Sequence, residues 1–311
     1  MLSRIAESLY WIGRYLERAE DTARLLDVQL QLAVEDPVVD RSAAARLLLT
    51  VMGIEPDDAA DESAMVETLC NDPASPSSIV SALQGMRESA RRSRETVPTE
   101  MWESINATWN AVRAGELRGN RPASAFKWVR ERCAIISATA ESTMRHDQGW
   151  YFFVLGRSTE RVDMTARLVS AAASSISPTA WTTALRACGG HHAFVLSSHD
   201  QDSNQEAAEF LLLDRLFPRS IMRTLDTAIR AHDLLDGADR RGFDDDAVRL
   251  LGRARAELEY RTRASILVDL PDRMAALQQT CADANEVISR RYFEGAVAAE
   301  WHAGGYEEEA S

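Results

Sequence analysis

Apolar residues recur along this chain with a period near 3.6 rather than 2. In the first segment Ile5, Leu9, Ile12, Leu16, Ala19, Ala23, Leu26 and Leu30 fall at spacings of three and four, which puts one apolar stripe on a helix. Similar runs cover residues 40–52, 77–97, 99–114, 122–145, 148–174, 178–197, 203–217, 220–236, 244–268 and 271–302. The breaks between them carry helix-stop chemistry: Asp36-Pro37, Gly53, Asp72-Pro73, Pro98, Gly119-Asn120, Gly237, Gly242 and Leu270-Pro271. No alternating run bounded by hairpin dipeptides interrupts the series. The pattern predicts an all-α fold, a multi-helix bundle with short connections, built as a single domain over 1–311.

Three stretches depart from it. Between Leu47 and Met86 there is no Lys or Arg, while Glu55, Asp57, Asp58, Asp61, Glu62, Glu67 and Asp72 are acidic. That run reads as a solvated loop, with an acidic docking surface as the alternative. Gly189-Gly190-His191-His192 reads as a polar loop, because adjacent histidines cannot share one helix face as an i,i+4 metal pair does. The tail 304–311 is expected to fray.

A more specific signal is self-similarity. Residues 11–26 read WIGRYLERAEDTARLL and residues 154–169 read VLGRSTERVDMTARLV. They share G-R-x-x-E-R-x-x-x-T-A-R-L at an offset of 156 − 13 = 143, which suggests two related halves near 1–146 and 147–311. Arg14, Glu17, Arg18 and Asp21 stand at i, i+3, i+4 and i+7, on one face of a helix; Arg157, Glu160 and Arg161 repeat the pattern, with Met164 in place of Asp21. Tyr10, Trp11, Leu25 and Val28 lie on the same side as the first set of charges, and Trp150, Phe153, Val154, Met164 and Leu168 accompany the second. A helix that is apolar around its charges is a buried helix. Buried ions need partners, so the expected pairs are Glu17 with Arg161 and Glu160 with Arg18, across a pseudo-twofold. Such a network is either structural or the lining of a ligand site, in which Arg24 and Arg167 are further candidates.

Composition narrows the classes. The 48 acidic and 35 basic residues give a formal charge of −13, which disfavours nucleic acid and anionic membrane surfaces as partners. No apolar stretch approaches the ~18 residues of a membrane span. The four cysteines stand far apart and no cleavable leader opens the chain, so a reduced, cytoplasmic setting is expected. Lys127 is the sole lysine, which makes lysine-nucleophile chemistry unpromising. Neither a Walker-type nor a G-x-G-x-x-G phosphate loop is present, nor a G-x-S-x-G elbow, and no cofactor or metal is implied. Asp244-Asp245-Asp246 suits a helix N-terminus better than a Mg²⁺ motif. Arg87, Arg91, Arg92 and Arg94 form a solvated or internally paired face, with a docking patch or an anionic-substrate site as the alternative. Phe217-Pro218-Arg219-Ser220 reads as a helix break with Ser220 capping the next helix.

The twin E-R motifs, the opening MLSRIAESLYWIGRYLERAEDTARLLDV, the stretch DPASPSSIVSALQGMRESARRSRETVPTEMWESIN and FLLLDRLFPRSIMRTL resemble the alpha-E family of bacterial proteins, collinearly over nearly the whole chain. That resemblance implies an all-helical domain whose motif positions are Glu17, Arg18, Glu160 and Arg161, and it adds Arg219 as a site candidate. It also implies a partnership with a circularly permuted ATP-grasp protein in an amide- or peptide-ligase system, and hence a peptide or amino-acid substrate. The expected role is a partner subunit that helps form or specify the substrate site, accessory rather than catalytic alone. Two other readings stay open: an enzyme using Glu17 and Glu160 as an acid/base pair, and a purely structural scaffold. A homo-oligomer is compatible with each.

Overall fold

The computed structural model describes residues 1–35, 40–175, 177–198, 200, 203–236, 246–262 and 265–293. All regular structure among them is helical. Two long helices, α1 (Ser3–Glu35) and α8 (Gln148–Ser174), pack on each other as the central pair. The stripe read from the sequence is buried: Leu9, Ile12, Leu16, Ala19, Ala23 and Leu26 are fully enclosed. The opposite face of α1 is buried too, at Tyr10, Leu25 and Val28, as the apolar residues around the charges require.

The helices α4 (Ile79–Arg92) and α7 (Pro122–Thr143) flank α1, and α5 (Thr99–Arg113) closes that side against both of them. Around α8, α12 (Ile221–Asp236) and α14 (Leu270–Ile288) take the flanking places, and α13 (Asp246–Glu259) closes against them. Shorter elements connect these: α2 (Arg41–Val51), α3 (Glu62–Val66), α6 (Glu116–Gly119), α9 (Ala180–Ala187), α10 (His191–Ser197) and α11 (Asn204–Leu213). Caps fix where the main helices start. Asp147 accepts from Gly149 N at 3.0 Å, Ser78 from Ser81 N at 3.0 Å, and Ser220 from Arg223 N at 3.1 Å.

The centre of the α1–α8 contact is glycine against backbone. A Cβ on Gly13 would stand 2.9 Å from Arg157 N and closer still to the Phe153 carbonyl oxygen. On Gly156 it would stand 2.9 Å from the Tyr10 carbonyl carbon and closer to its oxygen. The contact is reciprocal at the motif's offset, since 13 + 143 = 156 and 10 + 143 = 153. Only glycine lets two helix backbones approach this far.

Three sequence expectations are corrected. The acidic stretch 55–72 is not a simple loop: Asp61 caps α3, and a π-helical turn, Glu67–Asn71, follows directly. Met65, Leu69 and Cys70 are buried beneath the acids, so burial of one face overrides the charge run. His191 and His192 are likewise not a loop but the first turn of α10, after Gly189 (φ +66°) ends α9. Runs drawn as continuous at 178–197, 203–217 and 244–268 hold shorter helices, because α9 stops at Ala187 before Gly189-Gly190, α11 stops at Leu213 and α13 stops at Glu259. Asp36-Pro37, His199, Gly237, Gly242, Asp244, Asp245 and the tail 304–311 lie outside the described residues.

Candidate functional site

The E-R faces of α1 and α8 meet beside the glycine contact and exchange arginines. Glu17, fully buried, receives Arg161 Nε at 2.6 Å and Nη2 at 2.7 Å, Arg157 Nε at 3.1 Å and Arg219 Nη1 at 2.7 Å. Glu160, 2% exposed, receives Arg18 Nε at 2.6 Å and Nη2 at 3.1 Å, and Arg14 Nε at 2.7 Å. Both cross-pairs expected from the sequence, Glu17–Arg161 and Glu160–Arg18, are therefore present. Each arginine fork grips its carboxylate in the bidentate geometry that suits a planar guanidinium.

The outer ends of the clasp are matched as well. Arg18 Nη1 donates to the Pro76 carbonyl at 3.3 Å, and Arg161 Nη1 to the Pro218 carbonyl at 3.2 Å. These prolines stand two residues before Ser78 and Ser220, which cap α4 and α12. One further turn along, Arg24 pairs with Glu20 at 2.8 Å and Arg167 with Asp163 at 2.8 Å. Arg167 Nη1 also ties down the Val51 carbonyl at 2.9 Å.

The two ends differ in one respect. Arg219 follows Pro218 and reaches Glu17, Glu20 at 2.6 Å and Asp21. The residue after Pro76 is Ser77, whose hydroxyl turns to the Met52 carbonyl at 3.4 Å. Losing Arg219's counterpart goes with losing Asp21's, since Met164 occupies that place.

All the arginine and acid candidates from the sequence thus join this centre. Sequence reasoning missed Glu20 and Asp163, although their i,i+4 spacing to Arg24 and Arg167 was a usable signal. It also missed Asn285, which accepts from Tyr10 Oη and Arg14 Nη1, both at 2.9 Å. Nothing local to Asn285 could have revealed that role. The arginines 87–94 stay outside the centre and pair internally, Arg87 and Arg91 with Glu88, while Arg94 lies over Trp102. His191 and His192 are also remote in chemistry: no described group of three or more His, Cys, Asp or Glu could hold a metal ion.

Electrostatics follow from this geometry. Burial alone would raise both central glutamates. For Glu17 the charges of Arg161, Arg219 and Arg157 outweigh it and hold the carboxyl far below the usual carboxylate range. For Glu160, Arg18 and Arg14 overcome burial and bring it down to about 2. Asp21 behaves oppositely: burial, joined by the adjacent Glu17 and Glu20 carboxylates, pushes it up to about 7 despite Arg219.

These shifts have opposite signs for stability. Asp21 binds its proton more tightly when folded, so stability falls as pH rises from its ordinary 3.8 to about 7. Glu160 releases its proton more readily when folded, so its contribution is lost as pH falls from 4.5 to about 2. We expect urea midpoints to peak at mildly acid pH and to decline toward neutrality. Asp21→Asn should flatten that decline; an unchanged decline in the variant would mean Asp21 is not its source.

With this geometry in place, comparison with known proteins is informative. The model of Alpha-E, a predicted alpha-helical domain with a conserved ER motif, matches residues 1–293. The chain belongs to the Alpha-E family. Its two E-R pairs, Glu17-Arg18 and Glu160-Arg161, are the clasp itself. Among curated relatives, the uncharacterized proteins Mb2597 of Mycobacterium bovis and MT2643 of Mycobacterium tuberculosis are each 27% identical over 326 residues. The uncharacterized protein Rv2567 of M. tuberculosis is 26% identical over the same length. Each alignment covers 92% of this chain and 36% of the relative, so this Alpha-E chain spans little more than a third of their length. No solved structure matches it. No helix among the described residues is long and apolar enough to cross a membrane.

Proposed function

We propose that this Alpha-E protein is the partner subunit of a circularly permuted ATP-grasp amide or peptide ligase, in which it helps form or specify the substrate site. The observation that carries this reading is the saturation of Glu17 and Glu160 by arginine. A general acid must hold a proton near the working pH, and both glutamates are held well below the usual carboxylate range. That counts against the enzyme reading with these two as an acid/base pair. The thiols offer no substitute nucleophile: burial pushes Cys70, Cys188 and Cys281 up to about 12 and Cys133 well above its ordinary value. Asp21, pushed up to about 7, is the group of the centre nearest the working pH, but it is buried against Arg219 and lines neither charged cleft at the ends of the clasp. That is expected of a subunit that positions substrate while a partner supplies ATP chemistry. Its relatives' greater length supports a helical unit that works beside further polypeptide. ATP chemistry and four unpaired thiols support a cytoplasmic setting for the system.

The test is co-purification with the ATP-grasp protein, followed by ATP turnover with candidate amines and acids. We expect a complex that weakens with salt, and turnover that needs both chains. Absence of a complex at low salt, with both proteins folded, would remove the reading in favour of a scaffold. Alone, this chain should show no ATP affinity below ~100 µM by calorimetry, about −5.5 kcal/mol; tighter binding would overturn the division of labour.

A further inference from the structure

We propose that the cleft at the Glu160 end of the clasp binds the carboxylate of a small ligand of amino-acid to dipeptide size. The cleft measures about 440 Å³ and opens between α1, α8 and α14, within the range of small-molecule sites. Arg14, Arg18 and Arg167 line it together with Asp163, Gln278 and Gln279. Three guanidiniums face two carboxylates there, Glu160 and Asp163, which leaves one positive charge uncompensated.

Depth arranges those charges usefully. Glu160 is 2% exposed, whereas the Arg14, Arg18 and Arg167 side chains are 13%, 20% and 26% exposed. Glu160 lies at the floor, while Asp163, 16% exposed, sits level with the arginines and pairs with Arg167, so the surplus charge of Arg14 and Arg18 faces the opening. The arginines are already fixed in place. Arg14 lies over the Trp11 ring and Arg18 over Tyr15, while Arg167 is held by Asp163 and the Val51 carbonyl. Donors held in this way lose little entropy on binding. The Gln278 amide adds a neutral donor and acceptor of the kind an amide-bearing ligand uses, while the Gln279 amide nitrogen donates to Asp283 at 2.7 Å.

The opposite cleft, at the Glu17 end, does not share this balance. There Arg24, Arg157, Arg161 and Arg219 stand against Glu17, Glu20, Asp21 and Glu141, four cations to four acids, and Arg219 itself lines the space. Asp21, pushed up to about 7, is only partly ionised at neutral pH, so that end carries less than one surplus charge, whereas the Glu160 end keeps a full one. A single surplus charge matches a monoanionic carboxylate better than a phosphate, which carries roughly −1.5 to −2 in ester form. The site deepens the reading above by naming what the subunit would hold, but it is tested without any partner, so either can fail alone.

The experiment is calorimetric titration of the full chain at low salt with N-acetylglycine, L-glutamate and inorganic phosphate. Saturable binding of the two carboxylates, weakening with salt and roughly tenfold tighter than phosphate, is expected. Two variants on the accessible face of α14 leave every ion pair intact. Gln278→Glu cancels the surplus charge and Ala275→Phe fills the space; each should weaken carboxylate binding roughly tenfold or more, with an unchanged thermal transition showing that the fold persists. No saturable carboxylate binding by ~20 mM, or affinities unmoved by both variants, would overturn the site. A preference for phosphate would overturn the carboxylate assignment.

Discussion

Glu17→Gln is expected to lower the unfolding free energy by ~3–5 kcal/mol, the usual cost of stranding a buried charge. The glutamate is fully buried and faces Arg157, Arg161 and Arg219 within 3.1 Å. An amide in its place offers one oxygen to three cations, and Glu20 and Asp21 relieve only Arg219. Glu160→Gln should fall in the same range, since it strands Arg14 and Arg18. A useful contrast is Glu257→Gln on α13, whose partner Arg253 is 80% exposed; such a pair is worth under ~1 kcal/mol. The double variant Glu17→Gln with Arg161→Gln should cost less than the sum of its singles, because removing both partners strands fewer charges. Chemical denaturation of these variants decides the point. A loss below ~1 kcal/mol for Glu17→Gln would show that water reaches the clasp and screens it.

The same arithmetic explains why the clasp was legible in the amino-acid sequence. Glu17 and Arg18 stand on a helix face that also carries Tyr10, Leu25 and Val28, and that mixture forces burial. Burial then requires a partner, and the second motif supplies one of the right charge at the right place. The all-helical fold was legible for the same reason: long stripes such as Ile5 to Leu26 admit only one period. Short helices were not. In α3 and the π-helical turn after it, Met65, Leu69 and Cys70 are the inward residues among many acids, too few to establish a period. Asn285 lies 275 residues from Tyr10, and such a pairing leaves no trace in local pattern. The cleft at Glu160 was hidden in another way. It depends on what Ser77 and Met164 omit relative to Arg219 and Asp21, and an omission shows only after the two ends are superposed in space.

The glycine contact between α1 and α8 carries the last prediction. In an exposed helix, Gly→Ala stabilises by up to ~1 kcal/mol, because alanine has less backbone entropy to lose. Gly252 in α13 has open space where alanine would place its methyl group, with nothing within 4 Å, so Gly252→Ala should gain about that much. Gly156→Ala adds the same methyl against the Tyr10 carbonyl, a backbone group that cannot swing aside as a side chain can. The helices must separate, and overpacking of that kind costs ~1–3 kcal/mol or more. Separation also lengthens the arginine–glutamate contacts on both sides, since Arg14 and Arg157 each neighbour one of the two glycines. The loss should therefore exceed ordinary overpacking and approach that of Glu17→Gln. Gly13→Ala should match it from the other helix, where the Phe153 carbonyl stands in the way. Thermal and urea unfolding of the three variants would then give two losses and one gain from one chemical change. A neutral Gly156→Ala would mean that α1 and α8 can part without cost, and that the clasp does not depend on their close approach.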